Sequence, residues 1–174
     1  MSSAAWGKSG STPQMESVVG ERAFWNWLRT VFLLRQQTTN MWTYEQATGK
    51  FYTPDGFLTA FGYSGRADGK NNPEMQSVPN VGPIPEGIYS IGRPEDTLTH
   101  GPFVLPLTPD PSNQMFSRGG FLIHGDSIVA PGSASEGCII LPRLVRNEIA
   151  ASLDRTLKVI SGPFQAADFT DEAT

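Results

Sequence analysis

"GFLIHGDSIVAPGSASEGCIIL", Gly120 to Leu141, contains the chain's only cysteine, Cys138, and one of its two histidines, His124. Apolar runs stand at both ends, "FLI" before the histidine and "IIL" after the cysteine. Short apolar runs bounded by glycine read as strands. The segment between them, rich in Gly, Pro, Ser and Ala, suits neither helix nor strand. Two neighbouring strands would bring the imidazole leaving one and the thiol entering the next to the same sheet edge. A thiol is a nucleophile only as the thiolate, and an unassisted cysteine with a pKa near ~8.5 is mostly protonated at neutral pH. An imidazole within hydrogen-bond reach removes that proton. Gly137 leaves room for a substrate backbone beside the sulfur, and the amides of Gly137 and Cys138 can point at a developing oxyanion. Against this, a free cysteine is more often a small buried hydrophobe than a nucleophile.

The rest of the chain sets bounds on that reading. Its 174 residues suffice for one domain with an appendage, and 39% hydrophobic against 17% charged residues is a globular composition. A net charge of −4 with no basic run argues against nucleic acid as a partner. A single cysteine excludes an internal disulfide. "AFWNWLRTVFLL", Ala23 to Leu34, lies too deep and carries Arg29, so it reads neither as a secretory signal nor as a membrane span. The expectation is a protein made in the cytoplasm without a signal peptide.

Residues 1–39 divide into a Ser- and Gly-rich start and a segment from Ser17 to about Gln36 with helical spacing. Phe24, Leu28, Val31 and Phe32 share one face of it. This amphipathic helix either packs on the core or docks a carrier. From residue 40 the texture is β. "MWTYEQATGKFYTPDGFLTAFGYSG" reads as short strands broken at "TGK" and "PDG". "IYSIG", "GPFVLPL", "GGFLIHG" and "TLKVISG" read as further strands, and "RLVRNEIAASL" has helical spacing at Leu144, Ile149 and Leu153. Between Arg66 and Gly87 runs a long connection without periodicity, a kind often tied to function. The sum is a mainly β domain over residues 40–165 with one or two helices, followed by an acidic tail, 166–174.

"HGD…SEGCIIL" resembles the active-site signature of the L,D-transpeptidase family, in which a His-Gly pair precedes a Ser-x-Gly-Cys segment by somewhat more than a dozen residues. "FGYSG", "GKNNPEMQ", "NVGPIPEGIYSIG", "GPFVLPLTPD" and "GGFLIHGD", in that order over about residues 55–162, are similar to the L,D-transpeptidase-like antibacterial effectors of type VI secretion systems. The resemblance implies an L,D-transpeptidase-like β-sandwich or sheet domain with peripheral helices. In it Cys138 is the nucleophile and His124 its base. The Gly125 carbonyl orients the imidazole, and Ser135 and Gly137 complete the cysteine turn. Where the family has an arginine two positions after the cysteine, this chain has Ile140, so Arg118, Arg143 or Arg146 must meet a substrate carboxylate, Arg118 being nearest in style.

The implied substrate is the tetrapeptide stem of peptidoglycan, cut between meso-diaminopimelate and the terminal D-alanine, with water or a D-amino acid completing the reaction. The implied partners are a secretion-system carrier component and a cognate immunity protein, with delivery into the target-cell periplasm. No cofactor is expected, and two histidines and one cysteine widely separated in the chain make a poor zinc site, so no metal is expected either. For Tyr63 and Ser64 in "GYSG" two readings stand, cleft lining or a plain turn. Asn71, Asn72 and Gln76 lie in the long connection, which would cover the substrate. Asp126 either hydrogen-bonds near His124 or caps a turn, and His100 reads as a surface loop residue and a rival base. A papain-type hydrolase is disfavoured because its cysteine opens a helix and precedes the histidine. A module that has kept the fold and lost the chemistry is the remaining alternative.

Overall fold

The computed structural model describes residues 41–165. The helix expected over 17–36, the rest of the 1–39 segment and the acidic tail lie outside the described residues. Ten strands form in chain order: β1 Met41–Glu45, β2 Lys50–Tyr52, β3 Leu58–Phe61, β4 Tyr63–Ser64, β5 Gly87–Ile91, β6 Glu95–Thr97, β7 Gly101–Pro109, β8 Leu122–His124, β9 Ile139–Ile140 and β10 Thr156–Ile160. One helix, α1 Arg143–Ala151, lies between β9 and β10. The domain is mainly β, as the turn punctuation predicts. Alternation of buried and open positions along β10, where Leu157 and Val159 face the core, is the period-two signature of a half-buried strand.

The sheet runs β3-β2-β1-β10-β5-β7-β8-β9-β4, with β6 paired to β7. β1 and β10 are parallel, as are β8 and β9, and the other ladders are antiparallel. The two ends of this path, β3 and β4, are separated in the chain by Gly62 alone. The sheet therefore curls until its edges meet at one residue. Gly62 is required there by close approach, since a Cβ would stand 2.2 Å from the Ile140 carbonyl oxygen.

The curl encloses one core. Tyr44, Phe51, Tyr89, Leu105, Ile123, Ile139 and Leu157 are fully buried in a single cluster, and Val145 and Ile149 of α1 join it. Each such side chain contributes about 2 kcal/mol by leaving water. The apolar face of α1 differs from the sequence expectation. Val145 and Ile149 turn inward, whereas Leu144 is 76% exposed and Leu153, past the helix end, is 98% exposed. The connection between β4 and β5 also has more order than its lack of periodicity suggests. It contains two 3-10 turns, Ala67–Gly69 and Pro73–Met75. Such turns need only one or two local hydrogen bonds and leave no periodic trace.

Candidate active site

β8 and β9 are adjacent and parallel, with Ile123 opposite Ile139 and His124 opposite Ile140. This is the arrangement that the two apolar runs predict. Parallel pairing requires a crossover, and residues 125–137 supply it, carrying the chain from the end of β8 back to the start of β9. Cys138, half-buried, immediately precedes β9 and His124 ends β8. A ring nitrogen of His124 and the Cys138 sulfur lie within 4.8 Å of each other.

His124 is 3% exposed. Its Nδ1 lies 2.8 Å from the Gly125 carbonyl oxygen, while its buried Nε2 meets no hydrogen-bond partner in the chain. The carbonyl can only accept, so Nδ1 carries the proton and Nε2 the free lone pair. Burial lowers the imidazole pKa. The Gly125 carbonyl and Asp126 oppose that, while His100 and Arg146 add to it. The cysteine moves the other way. Burial pushes the Cys138 thiol up, with Glu136 adding, against the Leu122 amide and the Arg118 guanidinium. The resting pair is therefore a neutral thiol beside a neutral imidazole.

Ser135 is fully buried and forms the cysteine turn. Its hydroxyl donates to the Cys138 carbonyl at 2.6 Å and accepts from the amides of Gly65 and Gly137. That last bond overturns one expectation, because the Gly137 amide is already committed and does not face an oxyanion. Gly137 does not leave room for substrate either. Its φ is +137°, and a Cβ there would meet Arg118 Nη2 at 2.4 Å and Phe121 at 2.9 Å. The glycine admits the arginine.

Arg118 is likewise spent internally. Its two terminal nitrogens donate to the carbonyls of Gln76, Gly82, Pro83 and Glu136, and its plane lies over Phe121. Four carbonyl partners leave little of the guanidinium for a ligand carboxylate, so the expected substrate contact is replaced by a brace beside the sulfur. Ser64 is corrected in the same sense. It is fully buried, donating to the Gly137 carbonyl and accepting from the Ile84 amide, each at 2.8 Å. Asn72 accepts from the Glu74 amide and so caps the second 3-10 turn, and Gln76 accepts from the Glu86 amide. Asn71 accepts from the Tyr44 hydroxyl and the Ser64 amide. None of these three lines the cavity beside His124.

That cavity has a volume of about 730 Å³, and of the pair His124 but not Cys138 is among its walls. His100, His124, Gly125, Asp126, Arg143 and Arg146 are among its walls. Asp126 accepts from the Tyr63 hydroxyl at 2.6 Å and from the amides of Ser127 and Gly132, and Tyr63 in turn accepts from the Ala134 amide. Asp126 thus caps a turn and clamps the crossover, and Tyr63 serves that clamp. Burial raises the Asp126 carboxyl, but the Tyr63 hydroxyl, the two amides and Lys70 together hold it below its ordinary value. Arg146 is buried, donating to the carbonyls of Leu141, Pro102 and Phe103, and Arg143 is exposed with its plane over Phe103. Ile140 is 4% exposed and pairs with both Tyr63 and His124.

His100 is the residue whose place the sequence conceals. It is exposed, in the turn between β6 and β7, yet its ring centroid stands 4.8 Å from that of His124. One ring nitrogen of His100, one of His124 and the Cys138 sulfur all lie within 4.8 Å of one another. The expectation that these three residues are too scattered to share a metal is thereby corrected. Twenty-four and fourteen positions apart along the chain, they converge because β7 pairs with β8 and β8 with β9.

A search of curated proteins finds no match to this chain. Residues 59–161 match the family model of the Tlde1 domain, from β3 to just beyond β10, and so include the whole of the site described above. With more than half of its length inside that match, the chain belongs to the Tlde1 family of L,D-transpeptidase-like antibacterial effectors of type VI secretion systems.

Proposed function

We propose that this chain is a cysteine acyl-transfer enzyme that cuts the bond between meso-diaminopimelate and the terminal D-alanine of peptidoglycan tetrapeptide stems. The observation that carries the reading is the Cys138 sulfur within 4.8 Å of a ring nitrogen of His124, whose imidazole lines the cavity. The free Nε2 lone pair takes the thiol proton as sulfur attacks the carbonyl carbon. The collapsing adduct forms a thioester, and the imidazolium returns the proton to the departing D-alanine amine. Water, deprotonated by the same imidazole, attacks the thioester to give the tripeptide stem and regenerate the thiol. An incoming D-amino acid amine instead gives exchange. The Gly125 carbonyl keeps the imidazole in the required tautomer throughout.

One open cation in the cavity suits a stem that ends in a carboxylate. Arg143 lines it and is exposed, whereas the guanidinium of Arg146, also in the wall, is committed to the carbonyls of Leu141, Pro102 and Phe103. Of the three arginines that the resemblance offered for this part, Arg143 is the one left free to take it. Asp126 and Tyr63 shape the wall rather than bind the stem. Residues 1–39 serve as a delivery or packing segment, 40–165 are the catalytic domain, and a cognate immunity protein protects the producing cell.

The test is digestion of purified sacculi with the full chain. Tetrapeptide muropeptides should convert to tripeptides or exchanged tetrapeptides, and Cys138→Ala should reduce the rate at least about a thousandfold. Folded parent protein that leaves the tetrapeptides unchanged would refute the reaction. A Cys138→Ala variant that stays toxic in the periplasm would favour a non-catalytic module.

A further inference from the structure

The proposed reaction uses one imidazole and one thiol, but the same corner holds a second imidazole. His100 is carried there by the β6–β7 turn, and its Nδ1 lies 2.8 Å from the Thr99 hydroxyl. Two imidazoles and a thiol with their donor atoms within 4.8 Å of one another form the one His, Cys, Asp and Glu cluster of this kind among the described residues. A second observation points to a ligand. His124 Nε2 is buried and without a hydrogen-bond partner, and the side chain as a whole is 3% exposed. A buried nitrogen of that sort costs free energy unless something accepts its lone pair.

We propose that His100, His124 and Cys138 form a three-ligand site for a borderline-soft divalent transition metal of the Zn²⁺ type, and that its occupation masks the nucleophile. Imidazole nitrogen and thiolate sulfur are the donors such ions prefer. In a tetrahedral site with Zn–N near ~2.0 Å and Zn–S near ~2.3 Å, neighbouring donors stand about 3.5 Å apart. The cluster therefore has to contract by roughly an ångström. His100 is exposed and can swing to close it, while His124 ends β8 and Cys138 abuts β9. The bond from His124 Nδ1 to the Gly125 carbonyl is the outer-shell contact that metal-bound imidazoles usually make. Binding displaces the thiol proton to solvent and forms one S–metal and two N–metal bonds, with water or an anion from the cavity in the fourth position. Thiolate and lone pair are both consumed, so metal and acyl transfer exclude each other. The exclusion rests on the proposed reaction, whereas the binding does not.

The test needs no peptidoglycan. Full-length protein freed of metal by a chelator is titrated with Zn²⁺ while iodoacetamide alkylation of Cys138 is followed by mass spectrometry. One equivalent should slow alkylation at least about tenfold, a chelator should restore it, and Co²⁺ should produce an intense near-ultraviolet thiolate-to-metal band. His100→Gln should weaken the Zn²⁺ affinity at least about tenfold. An alkylation rate indifferent to micromolar Zn²⁺ in the parent overturns the proposal by itself, as does a His100→Gln variant that binds equally tightly. Sacculus digestion that rises with Zn²⁺ overturns the masking. Protein that binds Zn²⁺ but never cuts stems would sink the proposed reaction and leave this site standing. Protein that cuts stems but ignores Zn²⁺ would do the reverse.

Discussion

Residues 65–86 and 125–137 are the two long connections beside the site, both rich in Gly and Pro, and they are built on opposite principles. The first is held from outside along its length. Arg118 takes the carbonyls of Gln76, Gly82 and Pro83, Ser64 takes the Ile84 amide, and Gln46 donates to the Ile84 carbonyl at 2.6 Å. The second is clamped near its ends, by Asp126 with Tyr63 and Gly132 and by Ser135 with Gly65 and Cys138. Its tip leaves Ile128 97% and Val129 96% exposed. The large cavity lies against the second connection. A connection whose backbone polar groups are bonded to buried side chains behaves as part of the core, whatever its composition. One bonded mainly near its ends keeps a free edge for a ligand.

The difference can be broken or sharpened by mutation. Arg118→Ala should have the largest effect, because it strips donors from four carbonyls, opens space beside Phe121 and removes a cation near the sulfur. A loss of about 3 kcal/mol in urea unfolding is expected, with slower alkylation of Cys138. A loss under about 0.5 kcal/mol would mean that the first connection is not braced as described. Tyr63→Phe should cost about 1 kcal/mol, since it removes one hydroxyl from the clamp of the second connection. The Asp126 carboxyl should then titrate closer to its ordinary value in NMR, having lost a bond that lowers it. An unmoved Asp126 would show that the amides alone hold the clamp. Ile128→Ser at the exposed tip should change stability by less than about 0.5 kcal/mol in the same unfolding measurement. A larger loss there would place the tip in the core with the first connection.

Much of this was legible in the chain. The turn signals around "TGK" and "PDG" placed β1 to β3, and the apolar runs of "FLIH" and "CIIL" placed β8 and β9 as neighbours. Turn chemistry and period-two burial are local properties, and local properties survive reading one residue after another. Less could be said of where polar side chains end. Arg118 and Ser64 resemble ligand-binding residues because arginine and serine are what such sites use. Both instead satisfy backbone groups of the β4–β5 connection, whose position depends on the whole sheet.

By itself the sequence determined a mainly β domain and the meeting of one thiol with one imidazole, because both follow from short apolar runs and the residues that punctuate them. Only the tertiary structure decided that a second imidazole joins them, that Gly137 makes room for a guanidinium and that Arg118 is turned inward. Those outcomes depend on which strands pair and which buried carbonyls need donors. Contacts of that range are chosen by the closing of the sheet, and no window along the chain contains them.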